Sequence, residues 1–263
     1  VEGSVSGISY GFALMLMAQA AIAQSIATAA MPTLATQYAL GKLDEIRHSL
    51  AAALRGVLLL SLPASLGLIL LRVPLVQLLY QRDNFDARST QLVAWALLWY
   101  AAGLVGHSLL EVLARAFYAM HDTKTPVLVG AAAMSLNVIF SFAFAALFTR
   151  IGWMPHGGLA LANSLATALE ATTLFLLMRR RLKGIEGANV ARGFGQFALI
   201  TLVMSLTLVG WMQFASQYPT WVAALGGVAV GSVVYGLGVW ALRVPEVHNL
   251  MRAIQRKLSP NKP

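Results

Sequence analysis

The sequence predicts an all-α, polytopic membrane protein of seven transmembrane helices, and three observations carry that prediction. Between Arg192 and Arg243 the chain runs fifty residues without an Asp, Glu, Lys or Arg. That is room for two helices of about 20 residues across a hydrocarbon core about 30 Å thick. Hydrophobic residues make up 58% of the chain and charged residues 11%, against about 25% charged in an ordinary soluble domain. Finally, seven segments are long and apolar enough to cross, at about 7–31, 49–71, 90–118, 126–148, 158–180, 194–215 and 220–242.

The first span lies in the charge-free run from Gly3 to Gly41. The second contains Arg55, within two turns of the end near His48, where its long side chain is expected to snorkel to the headgroups. Val73-Pro-Leu-Val-Gln-Leu-Leu-Tyr80 is too short to cross and is expected in the interface. Pro32 and Pro63 fall near or within spans, which lipid-embedded helices tolerate when neighbours satisfy the freed carbonyls. The fourth span fills Thr125 to Thr149, and Gly157-Gly158 reads as a loop or a helix start. The last two spans flank a wet, aromatic stretch, Gln213-Phe-Ala-Ser-Gln-Tyr-Pro-Thr-Trp221, that reads as the turn of a hairpin. The small-residue runs Ala20–Ala30 and Ala160–Ala168 read as close helix-packing surfaces.

Loop charges orient these spans. The net charge is +9, and in a membrane protein such an excess belongs in cytoplasmic loops and not on nucleic acid. Fourteen Lys and Arg follow spans one, three, five and seven, four fall on the opposite side, and Arg55 completes the nineteen. The positive-inside rule then starts the chain outside and ends it in the cytoplasm. From Pro245, Val247, Leu250, Met251, Ile254 and Leu258 recur at helical spacing among Arg252, Arg256 and Lys257. This pattern suits a basic amphipathic helix on the inner leaflet. The resulting organisation is 1–183 with five helices, 184–242 as a helical hairpin and 243–263 as a basic tail. Opening on Val1-Glu-Gly-Ser, with no Met and no basic stretch before a short apolar run, the chain shows no signal peptide and reads as a piece of a longer polypeptide.

The most specific local string is Ala114-Arg-Ala-Phe-Tyr-Ala-Met-His-Asp-Thr-Lys-Thr-Pro126. It describes a tight turn into span four: Asp122, Thr123 and Lys124 keep it wet, Thr125 suits an N-cap, and Pro126 suits the first helical position. The same string resembles the signature of the MurJ/MviN family of lipid II flippases, in the multidrug/oligosaccharidyl-lipid/polysaccharide exporter superfamily. Gly3-Ser-Val-Ser, Ala27-Thr-Ala-Ala-Met-Pro-Thr-Leu34 and Gly41-Lys-Leu-Asp-Glu45 resemble that family's preceding helix and loop. The resemblance is strong over about 3–130, weaker to 183, and hydropathic beyond.

The resemblance implies a protein of fourteen helices, two six-helix lobes around a central cavity plus two extra C-terminal helices, of which this chain supplies helices eight to fourteen. It implies alternating access, a lipid-linked peptidoglycan precursor as cargo, the bacterial inner membrane as location, and an N-terminal lobe as the missing partner. It puts helix eight running inward and the C-terminus in the cytoplasm, as the charge count does. The sequence departs from the pattern at one position. Where the family often carries an Asp-Arg pair in the first matched helix, the arginine contacting pyrophosphate, this chain has Phe12 and Ala13. That departure favours another polyprenyl-diphosphate-linked oligosaccharide, or a non-transporting structural relative, as the alternative.

Polar groups inside the spans are the candidate pathway residues. His107, Glu111 and Arg115 recur every four residues and share a helix face. They read either as a cavity-lining stripe with a proton-linked group or as a Glu111–Arg115 pair that fixes packing. Glu170 near the middle of span five needs a partner or a job, since a lone carboxylate there costs about 2–3 kcal/mol. Asn137 and Ser141 lie one turn apart; some family members hold sodium near here with Asn and a carboxylate, a charge Ser141 lacks. Gln19 and Gln24 in span one read as interhelical hydrogen-bond glue or as ligands.

Several functions are disfavoured. The ten Asp and Glu and five His are too sparse for a membrane enzyme's acidic or His clusters at a membrane face. No His-Glu-x-x-His, Gly-x-Ser-x-Gly or Walker-type loop occurs. The absence of cysteine removes disulfides, thiolate chemistry and Cys-type metal sites. A retinal-binding receptor needs a lysine in its last span, and 220–242 has none. The expectation is a transporter fragment without cofactor or metal, whose partners are the bilayer and a lipid-linked precursor.

Overall fold

The structure, a computed structural model, describes residues 3–81 and 85–242. Seven helices long and apolar enough to cross a membrane occupy them: α1 Ser4–Ala39, α2 Leu43–Tyr80, α3 Ala87–Ala119, α4 Lys124–Arg150, α5 Pro155–Arg181, α6 Gly187–Ala215 and α7 Thr220–Ala241. No strand occurs among the described residues. The expected basic helix at 243–263 lies outside them.

The helices outrun the predicted spans because polar turns and prolines did not stop them. Val73–Tyr80 is not a separate interfacial piece: it continues α2, a 38-residue helix that carries Pro63 and Pro74 in its interior. At 1.5 Å per residue α2 is about 57 Å long, so it extends past a 30 Å core or tilts within it. Burial explains the continuation, since Pro74 and Val76 are packed inside the bundle. Pro63 removes the N–H that would have bonded the Leu59 carbonyl, and Tyr235 of α7 donates its hydroxyl to that oxygen at 2.6 Å. The neighbour needed to satisfy the freed carbonyl is thus present.

α1 contains a π-helical turn at Ala20–Gln24, one extra residue that no periodicity in an Ala-rich run announces. At α4 the helix starts at Lys124, so Thr125 is not the cap and Pro126 is not the first helical residue. Asp122 takes the capping role: its carboxylate accepts from the Thr125 backbone N–H at 3.0 Å and from the Thr125 hydroxyl at 2.8 Å. The Asp outcompetes the Thr because its ionised oxygens bond the orphan donor more strongly.

α2 is the spine of the bundle. One apolar core gathers α1, α2, α3 and α5 around Leu50, Leu54, Phe117 and Leu174. A second joins α1 and α3 around Met15 and Leu97. A third seats the α6–α7 hairpin on α2 around Leu59, Phe197 and Met204. α4 packs along α5 and leaves Val127, Leu128, Met134 and Phe142 exposed.

Both predicted small-residue surfaces pack. Ala23 and Ala27 are buried in α1, and Ala160, Ala162 and Ala166 in α5. At the α3–α5 crossing a Cβ added at Gly103 would lie 2.9 Å from the Ser164 Cα, so no larger residue fits.

The two ends of the bundle differ in chemistry. At one end Arg47 donates to the Leu182 carbonyl at 2.6 Å, Arg181 pairs with Asp122, and His48 meets Glu186 at 3.2 Å. These contacts tie the α1–α2, α3–α4 and α5–α6 turns together. Arg55 reaches towards this end, its side chain lying against Gly193 of α6 and its charge acting on Glu186. At the other end Trp95, Trp99, Phe148 and Trp153 form one ring cluster, and Tyr10, Tyr80 and Phe85 form another. Trp and Tyr favour membrane–water interfaces for their half-apolar rings.

Candidate functional site

α3 carries a polar stripe between α1 and α5. The helical repeat places His107, Glu111 and Arg115 on one face, and the bundle supplies each with a partner. His107 Nε2 donates to Asn163 Oδ1 of α5 at 3.2 Å. Glu111 accepts from Arg115 at 2.6 Å, both side chains being one-quarter exposed. Arg115 also reaches α1, where it donates to the Thr28 hydroxyl and lies 3.5 Å from the Gln24 carbonyl. That carbonyl belongs to the π-helical turn, and it accepts from the Thr28 hydroxyl as well, at 2.6 Å. Glu111 and Arg115 thus form the pair that the sequence offered as one reading, and the row of polar groups bridges three helices.

The other candidates lie apart from this row. Glu170 is half-buried between α5 and α4, in a recess of about 240 Å³ lined by Leu128, Val129, Ala133, Leu136 and Thr173. Gly130 makes room for it, since a Cβ there would lie 3.1 Å from Glu170 Oε1. Asn137 and Ser141 form a 3.4 Å contact along α4. Gln19 is buried, whereas Gln24 is exposed and engages other groups through its backbone. Asp122 and Thr125 close the turn before α4 together with Arg181 of α5. The Asp122 carboxyl is held below the usual range first by the Thr125 backbone N–H, then by the Thr125 hydroxyl and by Arg181.

Sequence reasoning missed Asn163, Thr28 and His156. Asn163 is a lone amide in an Ala-rich span, a signal that was available. His156 is buried at the start of α5 and donates to the Leu92 carbonyl of α3 at 3.0 Å, anchoring the aromatic end. Phe12, in the position where the resemblance places an acid, packs its ring edge against Tyr100 at 5.1 Å. Among the described residues no group of three or more His, Asp or Glu comes close enough to hold a metal ion.

Seven apolar helices with polar groups gathered along an interior row define a multi-pass α-helical membrane protein. The model of the family described as lipid II flippase MurJ matches residues 1–227, and the chain belongs to that family. The match runs through α6 and into α7, further than the motif strings reach. A lipid II flippase MurJ from Burkholderia cenocepacia is 31% identical over 220 residues, covering 84% of this chain and 41% of that protein. A probable lipid II flippase MurJ from Vibrio cholerae is 31% identical over 173 residues, covering 66% and 32% respectively. The chain thus spans less than half the length of these curated relatives. A solved structure described as lipid II flippase MurJ in an inward closed conformation superposes with a TM-score of 0.75. It shares 22% identity and covers 92% of this chain and 48% of that one, a likeness that speaks for the fold.

Proposed function

We propose that this chain is the C-terminal part of a flippase that carries lipid II, a lipid-linked peptidoglycan precursor, across the bacterial inner membrane. The observation that supports this best, beside family membership, is the α3 row of His107, Glu111 and Arg115 bonded to Asn163 and Thr28. Hydrogen-bonded polar groups strung along a membrane helix suit the wall of a wet cavity better than a lipid-facing surface.

In this reading residues 1–183 are five helices of the second lobe, 184–242 an accessory hairpin and 243–263 a basic tail on the inner leaflet. The preceding lobe completes the cavity. The chain enters from outside and ends in the cytoplasm, so the end that holds Arg47, Arg181 and Glu186 is cytoplasmic. The lobes rock about the cavity, the headgroup crosses among polar side chains, and the polyprenyl tail stays in the bilayer. The chain moves its lipid without transforming it, and needs neither cofactor nor nucleic acid. Energy comes from an ion gradient or the membrane potential. Glu170 and the Asn137–Ser141 pair are the coupling candidates on α5 and α4.

The test is complementation. The full-length gene product is expressed in bacteria depleted of their own lipid II flippase, and viability and lipid II at the outer face are scored. Rescue is expected, with loss of rescue but normal membrane insertion for His107→Ala combined with Asn163→Ala. An Ala13→Arg variant runs beside them. Rescue by the Ala13→Arg variant alone would pin the loss on that one missing charge. Failure of both the unmodified protein and this variant, despite membrane insertion, would move the assignment to another polyprenyl-diphosphate cargo, and rescue by the double alanine variant would remove the α3 row from the pathway.

A further inference from the structure

Away from the polar row, α2, α3, α5 and α6 flank a groove of about 720 Å³ that is mostly apolar. Its floor is the tight α3–α5 crossing, running from Ala102 to Leu113 on one helix and from Ala168 to Arg179 on the other. Each stripe covers twelve residues, whose eleven rises of 1.5 Å span about 16 Å. That is close to the depth of one leaflet of a core about 30 Å thick. Leu54 and Leu58 of α2 form one wall, and Ala191 and Phe194 of α6 form the other.

The groove is apolar along its length and cationic at its mouth. Arg179 lines both the groove and an adjoining recess of about 360 Å³ shared with Arg180 and Lys183. Among the described residues none of these three cations has an acidic partner: Arg181 takes Asp122, and Glu186 is turned to His48 and Asn189. Three cations without an acidic partner among the described residues, over a slot one leaflet deep, match one ligand chemistry, an anionic headgroup on an acyl chain.

We infer that this groove is a binding site for an anionic glycerophospholipid of the surrounding leaflet. One acyl chain lies between α3 and α6, and the phosphate meets Arg179, with Arg180 and Lys183 alongside. The site faces away from the α3 polar row, so its occupant is a resident lipid and not the transported one. It goes beyond the transport reading and rests only on the chain lying in a bilayer. Basic pockets between membrane helices recognise anionic headgroups in this way.

The test uses the purified full-length protein in nanodiscs of equal phosphatidylglycerol and phosphatidylcholine with matched acyl chains. Lipid retained after release is read by native mass spectrometry, which requires no flipping, so this outcome stands independently of the complementation result. Retention of phosphatidylglycerol over phosphatidylcholine is expected. Arg179→Gln should reduce the preference about fivefold, and loss of all three cations about a hundredfold. Arg150→Gln, at the other end of the bundle, should leave it unchanged. Ala191→Trp should abolish retention of both lipids by filling the groove. Should that variant fail to fold, a phosphatidylglycerol with a photoactivatable acyl chain locates the lipid on the unmodified protein, where crosslinks to Phe175 and Phe194 are expected. A preference that survives loss of the three cations overturns the inference. So do crosslinks that avoid the groove, or a retained mass that is a polyprenyl-linked lipid.

Discussion

The Tyr235 hydroxyl donates at 2.6 Å to the Leu59 carbonyl, the oxygen that Pro63 leaves without its helical donor. Tyr235 is buried, so its removal strands an acceptor away from water. Tyr235→Phe should cost about 1–2 kcal/mol, within the range for an unsatisfied buried group. In a Pro63→Ala background the alanine N–H restores the helical bond, and the same substitution should cost less, under about 0.5 kcal/mol. Thermal unfolding of the four proteins of this cycle in mild detergent decides it; additive losses would show that the two residues are unrelated.

Gly103 sets the approach of α3 to α5. A Cβ there would meet the Ser164 side chain and approach its Cα at 2.9 Å. Gly103→Ala should destabilise by about 1–3 kcal/mol, the range for forcing extra atoms into a packed interior. Gly67→Ala is the control, because nothing lies within 4 Å of its added Cβ. Equal unfolding midpoints for the two variants would mean that the crossing tolerates a wider helix separation.

Glu111 and Arg115 should behave as a coupled pair. Removing either leaves the other partly buried without its counter-charge, so each alanine variant is expected to lose stability. The double variant should lose less than the sum of the two. With both side chains one-quarter exposed, solvent screening limits the coupling to about 1 kcal/mol. Zero coupling in the cycle would mean that Arg115 is held by Thr28 and the α1 turn alone.

Acid should loosen the α3–α4 turn. The folded-state pKa of Asp122 is depressed by the Thr125 N–H, the Thr125 hydroxyl and Arg181. Its contribution is present in full above the unfolded carboxyl value of about 3.9 and fades as pH falls through the lower folded value. The stability gap between the protein and its Asp122→Asn variant should therefore be constant from neutral pH to about 4.5, and shrink below about 4. A gap that stays constant down to about pH 2 would falsify this assignment.

Much of the fold was legible from composition and charge spacing because lipid leaves few choices: a long uncharged run must be a helix. The hairpin turn around Gln213–Trp221, the small-residue surfaces and the Glu111–Arg115 pair follow from local rules that need no partner. Other features were not legible. The continuation of α2 through Pro74 depends on burial by neighbours, and the cap at Asp122 depends on a competition between two side chains three residues apart. The partner of His107 lies 56 residues away on another helix, a distance that no periodicity spans.

The sequence by itself determined that the chain crosses a membrane seven times, which loops share a side, and which family it belongs to, because hydropathy, charge placement and short motifs are properties of the chain alone. Only the tertiary structure decided how the polar groups divide. It bound His107, Glu111 and Arg115 into one row with Asn163 and Thr28, and set Glu170 apart against Gly130. It also left Arg179 at the mouth of an apolar groove. In lipid a polar group's role depends on which helix faces it, and helix–helix apposition is fixed by packing across the whole bundle.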